Sequence, residues 1–195
     1  MQPDVQYDRF SFLTPSRIHA IGSGVRSFNS GEQKIIQDSP HLLQHMSAQL
    51  RAQAQRPWLL AQITEALSYD DHIKRCEYGT VQGILFDEAY FCRLFKLYET
   101  LDESCVGGPR IGREPVIVRK ARELPYPRML LPPDEFDDGF VPPLSHLCVY
   151  DIGYLMRRRQ VVELYFLFQD GFRVHAMRPL SMPDDRFPQS GQDSA

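Results

Sequence analysis

Three stretches towards the carboxy terminus decide the fold: HLCVYDIGYL (His146–Leu155), VVELYFLF (Val161–Phe168) and FRVHAMR (Phe172–Arg178). Each is rich in aromatic and β-branched residues and is bounded by turn chemistry, the composition of a strand on a pleated, half-buried surface. Together they predict an antiparallel meander. Register decides its last turn. A two-residue Asp170-Gly171 loop would put Phe168, Phe166 and Leu164 on one face with Arg173, His175 and Met177, which charges an apolar surface. A three-residue Gln169-Asp170-Gly171 loop pairs the same three residues with Phe172, Val174 and Ala176 and gives Gly171 the left-handed bulge position. The three-residue loop is therefore expected.

Working upstream, Val81–Phe86 and Ala89–Tyr98 read as strands. Phe91, Leu94, Phe95 and Tyr98 also fit a helical face, and the aromatic content decides for a hairpin. Val116–Val118 is a short apolar run of the same kind. At the other end of the chain, Arg9–Leu13 alternates like a strand, Thr14-Pro15-Ser16 makes a turn, and Arg17–Ile21 returns as a second strand. Gly22-Ser23-Gly24 breaks that pattern, and a polar loop runs to about Asp38. Ser39 and Pro40 then offer N-cap and first-turn chemistry. Leu43, Met46, Leu50 and Ala54 form one helical stripe; Pro57 interrupts; Trp58, Leu59, Ile63 and Leu67 form another, as a helix pair or one kinked helix. The sum is an α+β fold: a mostly antiparallel sheet of seven or eight short strands, able to curl into a partial barrel, packed by a helical hairpin. One domain is expected over residues 1–178, with a disordered tail at 179–195. A proline-rich acidic arm lies at about 124–143, where six of the chain's 15 prolines flank Asp134–Gly139.

Composition narrows the function. With 195 residues and 22.6 kDa the chain suits a single domain. Its 43% hydrophobic and 24% charged residues exclude a wholly disordered chain, and no apolar run reaches the roughly 20 residues that span a bilayer. A net charge of −3 supplies no basic field, so nucleic acid is not an expected partner. Met1–Gln6 lacks the basic and apolar regions of a secretory signal. The four cysteines Cys76, Cys92, Cys105 and Cys148 form no CxxC pair, so they read as mostly buried thiols of a reducing compartment, cytoplasm or nucleus.

Chemical motifs fail one after another. Gly22-Ser23-Gly24 follows an expected strand, but the next glycine, Gly31, is too distant for a dinucleotide loop. Gly107–Gly112 lacks the GK[ST] of a Walker loop and reads as a connection, able at most to cradle an anion beside Arg110 and Arg113. From Asp134 a calcium loop would need ligands where Phe136 and Ser145 stand. His41 and His45 lack a third metal ligand. Cys148 follows His146 by two residues, on the same side of an expected strand, but nothing orients the pair, and Cys148 is expected to be buried. No catalytic residue, metal or cofactor is assigned. Two basic stretches remain: Arg119, Lys120, Arg122 and Arg128 near the proline-rich arm, and Arg157, Arg158 and Arg159 at an expected hairpin tip. If they converge, they make a surface for an anion or an acidic partner.

The leading expectation is thus a non-catalytic subunit or adaptor whose partner is another protein or a second copy of the chain. The alternative is an enzyme acting on a small molecule or phosphoester inside a curled sheet, with Glu77, Arg93, Lys96, Glu163 and Arg178 turned inward. One further alternative comes from a resemblance. Asp71-His72, Gly79 and Leu94-Phe95-Lys96-Leu97, after a helix ending near Leu67, resemble part of the head-module subunit 18 family of the transcriptional Mediator. The resemblance implies an antiparallel barrel decorated with helices, no catalytic residues, and a role as a transcription coregulator.

Overall fold

Residues 9–39, 41, 46–114, 119, 142 and 144–180 are described by a computed structural model. The first element is a helix, α1 (Pro15–Asp38). The Thr14 hydroxyl accepts from the Arg17 amide at 3.3 Å, and Pro15 stands where a helix needs no amide donor. Ile18, Ile21, Val25 and Phe28 then recur at helical spacing along one face, the last three fully buried. This corrects the two strands expected at Arg9–Leu13 and Arg17–Ile21 and the polar loop after them. Arg9–Phe12 forms turns, with Phe10, Phe12 and Leu13 buried in the core. The glycines that suggested a loop serve packing instead. A Cβ at Gly24 would stand 2.6 Å from the Gln62 carbonyl oxygen and from Ile63 Cα. Glycine costs about 1 kcal/mol in a helix, offset here by the close approach of the next one.

That helix, α2 (Ala48–Ala66), is capped by the Ser47 hydroxyl, which accepts from the Leu50 amide at 3.1 Å. Pro57 lies inside it, so one helix and not a pair spans this position; the start expected at Ser39 is not realised, because Ser39 caps the carboxy end of α1. The helical hairpin exists, but its first arm is α1 and not the segment before Pro57. Leu43 lies outside the described residues.

Six strands follow: β1 (Ile73–Tyr78), β2 (Val81–Phe86), β3 (Tyr90–Leu97), β4 (Cys148–Arg157), β5 (Gln160–Gln169) and β6 (Val174–Leu180), in that order across one sheet. Every neighbouring pair is antiparallel except β3 and β4, which run parallel with Leu94 opposite Ile152. Parallel neighbours need a long crossover, and residues 98–147 supply it. The α+β class and the mostly antiparallel sheet are as expected. The sheet does not close: β1 and β6 are its two edges, so the barrel implied by the Mediator resemblance is absent, and so is the enclosed interior that the enzymatic alternative required. Val116–Val118 and the arm at 124–143 except Pro142 lie outside the described residues; of the tail expected at 179–195, Pro179 and Leu180 instead complete β6, and the rest lies outside the described residues.

The meander β4–β5–β6 is present, but its last register differs from expectation. Phe168 pairs with Ala176, Phe166 with Arg178 and Leu164 with Leu180, and a bulge brings Gln169 opposite Val174. The loop is Asp170–Arg173, held by the Asp170 carboxylate, whose Oδ1 accepts from the Phe172 and Arg173 amides at 2.7 Å each. Gly171 is not left-handed. The bulge reverses the side of one residue: Phe166 packs against the helices, whereas Val174 joins Leu167 and Tyr165 on the opposite face.

Both faces are consequently covered. The helices bury Ile84, Phe86, Cys92, Leu94, Ile152, Tyr154 and Phe166 against Ile21, Val25, Phe28, Leu59 and Ile63. The other face carries two apolar patches, one around Phe91 and Val149 and one around Leu97, Leu155 and Leu167, with the polar residues Arg93, Asp151 and Gln169 buried on the same face.

Candidate functional site: a pinned basic hairpin tip

The turn between β4 and β5 is Arg158-Arg159, and both residues are left-handed, with φ of 48° and 72°. A two-residue hairpin favours this twist, but asparagine and glycine adopt it at little cost, whereas other side chains lose about 1 kcal/mol each. Two residues of α1, one turn apart, hold the turn in place. The Asn29 side chain donates to the Val161 carbonyl at 3.0 Å and accepts from the Val161 amide at 2.8 Å, acting as a short strand partner. Glu32, buried although charged, faces Arg159 Nε at 3.5 Å and accepts from Gln55 of α2 at 3.1 Å. Arg159 is therefore an anchor.

The other two arginines are presented outward. Arg157 is exposed and donates to the Thr100 hydroxyl at 3.4 Å; Thr100 in turn donates to Glu163 at 3.0 Å. Arg158 is exposed and has no carboxylate partner among the described residues. Tyr98 leaves β3 beside this tip and is 90% exposed, and Val162 is partly exposed on β5. Arginine and tyrosine are among the residue types that most often carry binding energy at protein interfaces. Of the second basic stretch, Arg119 is exposed, while Lys120, Arg122 and Arg128 lie outside the described residues.

Elsewhere the buried charges are committed to the fold. Asp151 is nearly inaccessible and pairs with Arg93 Nε and with Arg110 Nη2, the latter at 2.8 Å. The Gln169 amide donates to Asp151 at 2.6 Å and to the Ile111 carbonyl at 3.0 Å, and its oxygen accepts from the Ile111 amide at 3.0 Å. Burial pulls the Arg93 guanidinium below its ordinary range, and Asp151 opposes that pull. The Gly107–Gly112 stretch, read from sequence as a connection, is thereby fastened to the sheet, and Arg110 meets an internal carboxylate. Its backbone also pairs with β6, Gly107 donating to the Val174 carbonyl at 2.8 Å. At the end of the sheet opposite the tip, Arg17 bonds Asp87 through both terminal nitrogens, at 2.7 and 2.8 Å, Asp70 at 2.8 Å and the Phe12 carbonyl at 2.8 Å. It ties the amino-terminal turns, α1, the α2–β1 loop and the β2–β3 turn together.

The five side chains considered for a barrel interior do not converge. Arg93 is buried, Glu77 and Lys96 are exposed, and Glu163 and Arg178 are half-buried. His146 belongs to a 3-10 turn (Leu144–His146) ahead of β4, so the strand spacing assumed for it and Cys148 does not hold, and Cys148 is exposed where a buried thiol was expected. Sequence reading passed over Asn29, Glu32 and Tyr98; the i, i+3 spacing of Asn29 and Glu32 could have drawn attention only once α1 was recognised. Among the described residues no group of histidine, cysteine, aspartate and glutamate side chains has metal-binding geometry, and no helix is long and apolar enough to cross a membrane. No family model, no curated protein and no solved structure matches this chain.

Proposed function

We propose that this protein is a non-catalytic subunit or adaptor that acts through protein–protein contacts, and that the β4–β5 tip docks an acidic segment of its partner. One observation carries the reading: Arg157, at the end of β4, and Arg158, on the left-handed turn after it, are exposed at a hairpin tip held by Asn29 through Val161 and by Glu32 through Arg159, and the exposed Tyr98 follows Leu97, which lies opposite Leu155 of β4. A surface fixed in advance loses little entropy on binding, and guanidinium groups match carboxylates two bonds at a time. Four free cysteines support a reducing compartment, cytoplasm or nucleus. The test is to isolate the tagged full chain from its native cells and to compare it with an Arg157→Glu/Arg158→Glu variant of the same circular dichroism. The expected result is one stoichiometric companion that elutes with the native chain and is lost from the variant. A native chain that runs as a free monomer, or a companion retained by the variant, would contradict the proposal.

A further inference from the structure

Beyond Asp151, opposite Leu167, the ladder between β4 and β5 stops. β4 continues to Cys148 against β3, with Tyr90 opposite Cys148 and Cys92 opposite Tyr150. β5 continues through Phe168 and Gln169 against β6. The two strand ends diverge, and an open cleft of about 420 Å³ lies between them, with Leu147, Cys148 and Val149 on one wall and Phe168, Gln169 and Asp170 on the other. The Cys148 amide donates towards β3, to the Ala89 carbonyl at 2.9 Å. Backbone groups alternate in direction along a strand, so those of Val149 are turned towards the cleft.

The chemistry of the rim is asymmetric. Among the described residues Asp170 is the one acid lining the cleft, and its carboxylate oxygens are engaged by the Phe172 and Arg173 amides and by His175 Nε2 at 2.7 Å. Arg9 lies over the Phe168 ring, 5.0 Å from its centroid, and has no carboxylate partner among the described residues. Phe172, on the adjoining turn, is 84% exposed. A strand edge, the Arg9 guanidinium and the Phe168 ring in the cleft wall supply what holds an extended peptide: backbone pairing, one charge and one apolar contact.

We infer that this cleft receives an extended peptide segment of a partner, which pairs with the diverging ends of β4 and β5 and sets a carboxylate against Arg9. The site lies at the opposite end of β4 from the arginine tip, roughly 30 Å away at strand rise, and does not depend on it. The carboxylate can be a chain terminus or an Asp or Glu side chain.

The experiment uses the full chain carrying Cys105→Ser and a display library of random heptapeptides with free carboxy termini. Peptides enriched on it, rich in β-branched residues, are expected to bind about tenfold more weakly to Arg9→Ala, the scale of one charge-assisted contact. They are expected not to bind once Cys148 carries a bulky maleimide, and to bind the Arg157→Glu/Arg158→Glu variant unchanged, so that this site and the tip stand or fall separately. Resynthesis with amidated termini assigns the carboxylate: weakening on amidation identifies the terminus, and weakening only when internal Asp or Glu is replaced identifies a side chain. No enrichment over the maleimide-blocked chain would overturn the inference, as would binding indifferent to Arg9→Ala. Binding that appears only after Asp134, Glu135, Asp137 and Asp138 are neutralised would make the chain's own acidic stretch the occupant and would equally overturn it.

Discussion

Arg158 spends stability for position. Its left-handed φ of 48° costs about 1 kcal/mol in an ordinary side chain, and among the described residues nothing in the fold uses its charge. Arg158→Gly is therefore expected to raise the unfolding free energy by about 0.5–1 kcal/mol in urea titration while weakening partner binding; a loss of stability would show that the side chain holds the fold. Asp151 is the opposite case. Removing its charge leaves Arg93 and Arg110 buried without their counter-ion, so Asp151→Asn is expected to cost about 3–5 kcal/mol in the same titration. The cysteines divide in the same residue-by-residue way. Burial pushes the Cys76 thiol up to about 12 and Cys92 well above its ordinary value, whereas Cys148 is exposed. Iodoacetamide at about pH 8 should modify Cys148 in the native chain and spare Cys76 and Cys92, as mass spectrometry of the labelled peptides would show. The expectation of buried thiols holds for those two and fails for Cys148, because the divergence of β4 from β5 uncovers it, and nothing in the local sequence announces that divergence.

Elements were legible where one period dominated. The sequence pattern marks β2 to the residue, and β3, β4 and β5 within a few positions. It does not mark α1, because the glycines there mimic loop punctuation while serving a helix contact that lies almost 40 residues away in the chain (24 to 62). A Cβ at Gly24 meets backbone, which cannot move aside as a side chain can. Gly24→Ala is therefore expected to lower the melting temperature, by the equivalent of about 1–3 kcal/mol, although alanine is the better helix former. The β5–β6 register escaped for a related reason: a bulge shifts the side-chain alternation on which register reasoning rests. The junction held by Arg17 also makes a pH prediction. The Asp70 carboxyl is held below its ordinary range, first by the bond from Arg17 and then by the His72 amide, against the opposing effect of burial. A carboxyl depressed in the folded state contributes stability above its unfolded value near 4 and loses it as pH falls towards the folded value. Between about pH 5 and pH 3 the native chain should accordingly lose more stability than Asp70→Asn, as acid-limb urea titrations would register.

At the scale of the molecule, an open sheet with a parallel seam leaves the two ends of the β4–β5 pair unlike each other. One end is closed by a turn pinned to α1; the other is split. Of the candidate site, only the arginines could be named from sequence. Their anchors and the tyrosine beside them come together through long-range packing, with Asn29 reaching Val161 across the fold. If the tip is a docking surface, a photo-reactive benzoylphenylalanine at Tyr98 will touch the partner, and one at Tyr69, 59% exposed beside the Arg17 junction, will not. The decisive measurement is the adduct formed in native cells from each of these two chains. A single protein adduct at position 98, absent at position 69 and abolished by Arg157→Glu/Arg158→Glu, is the expected result; no adduct at 98, or the same adduct from both positions, would contradict the account.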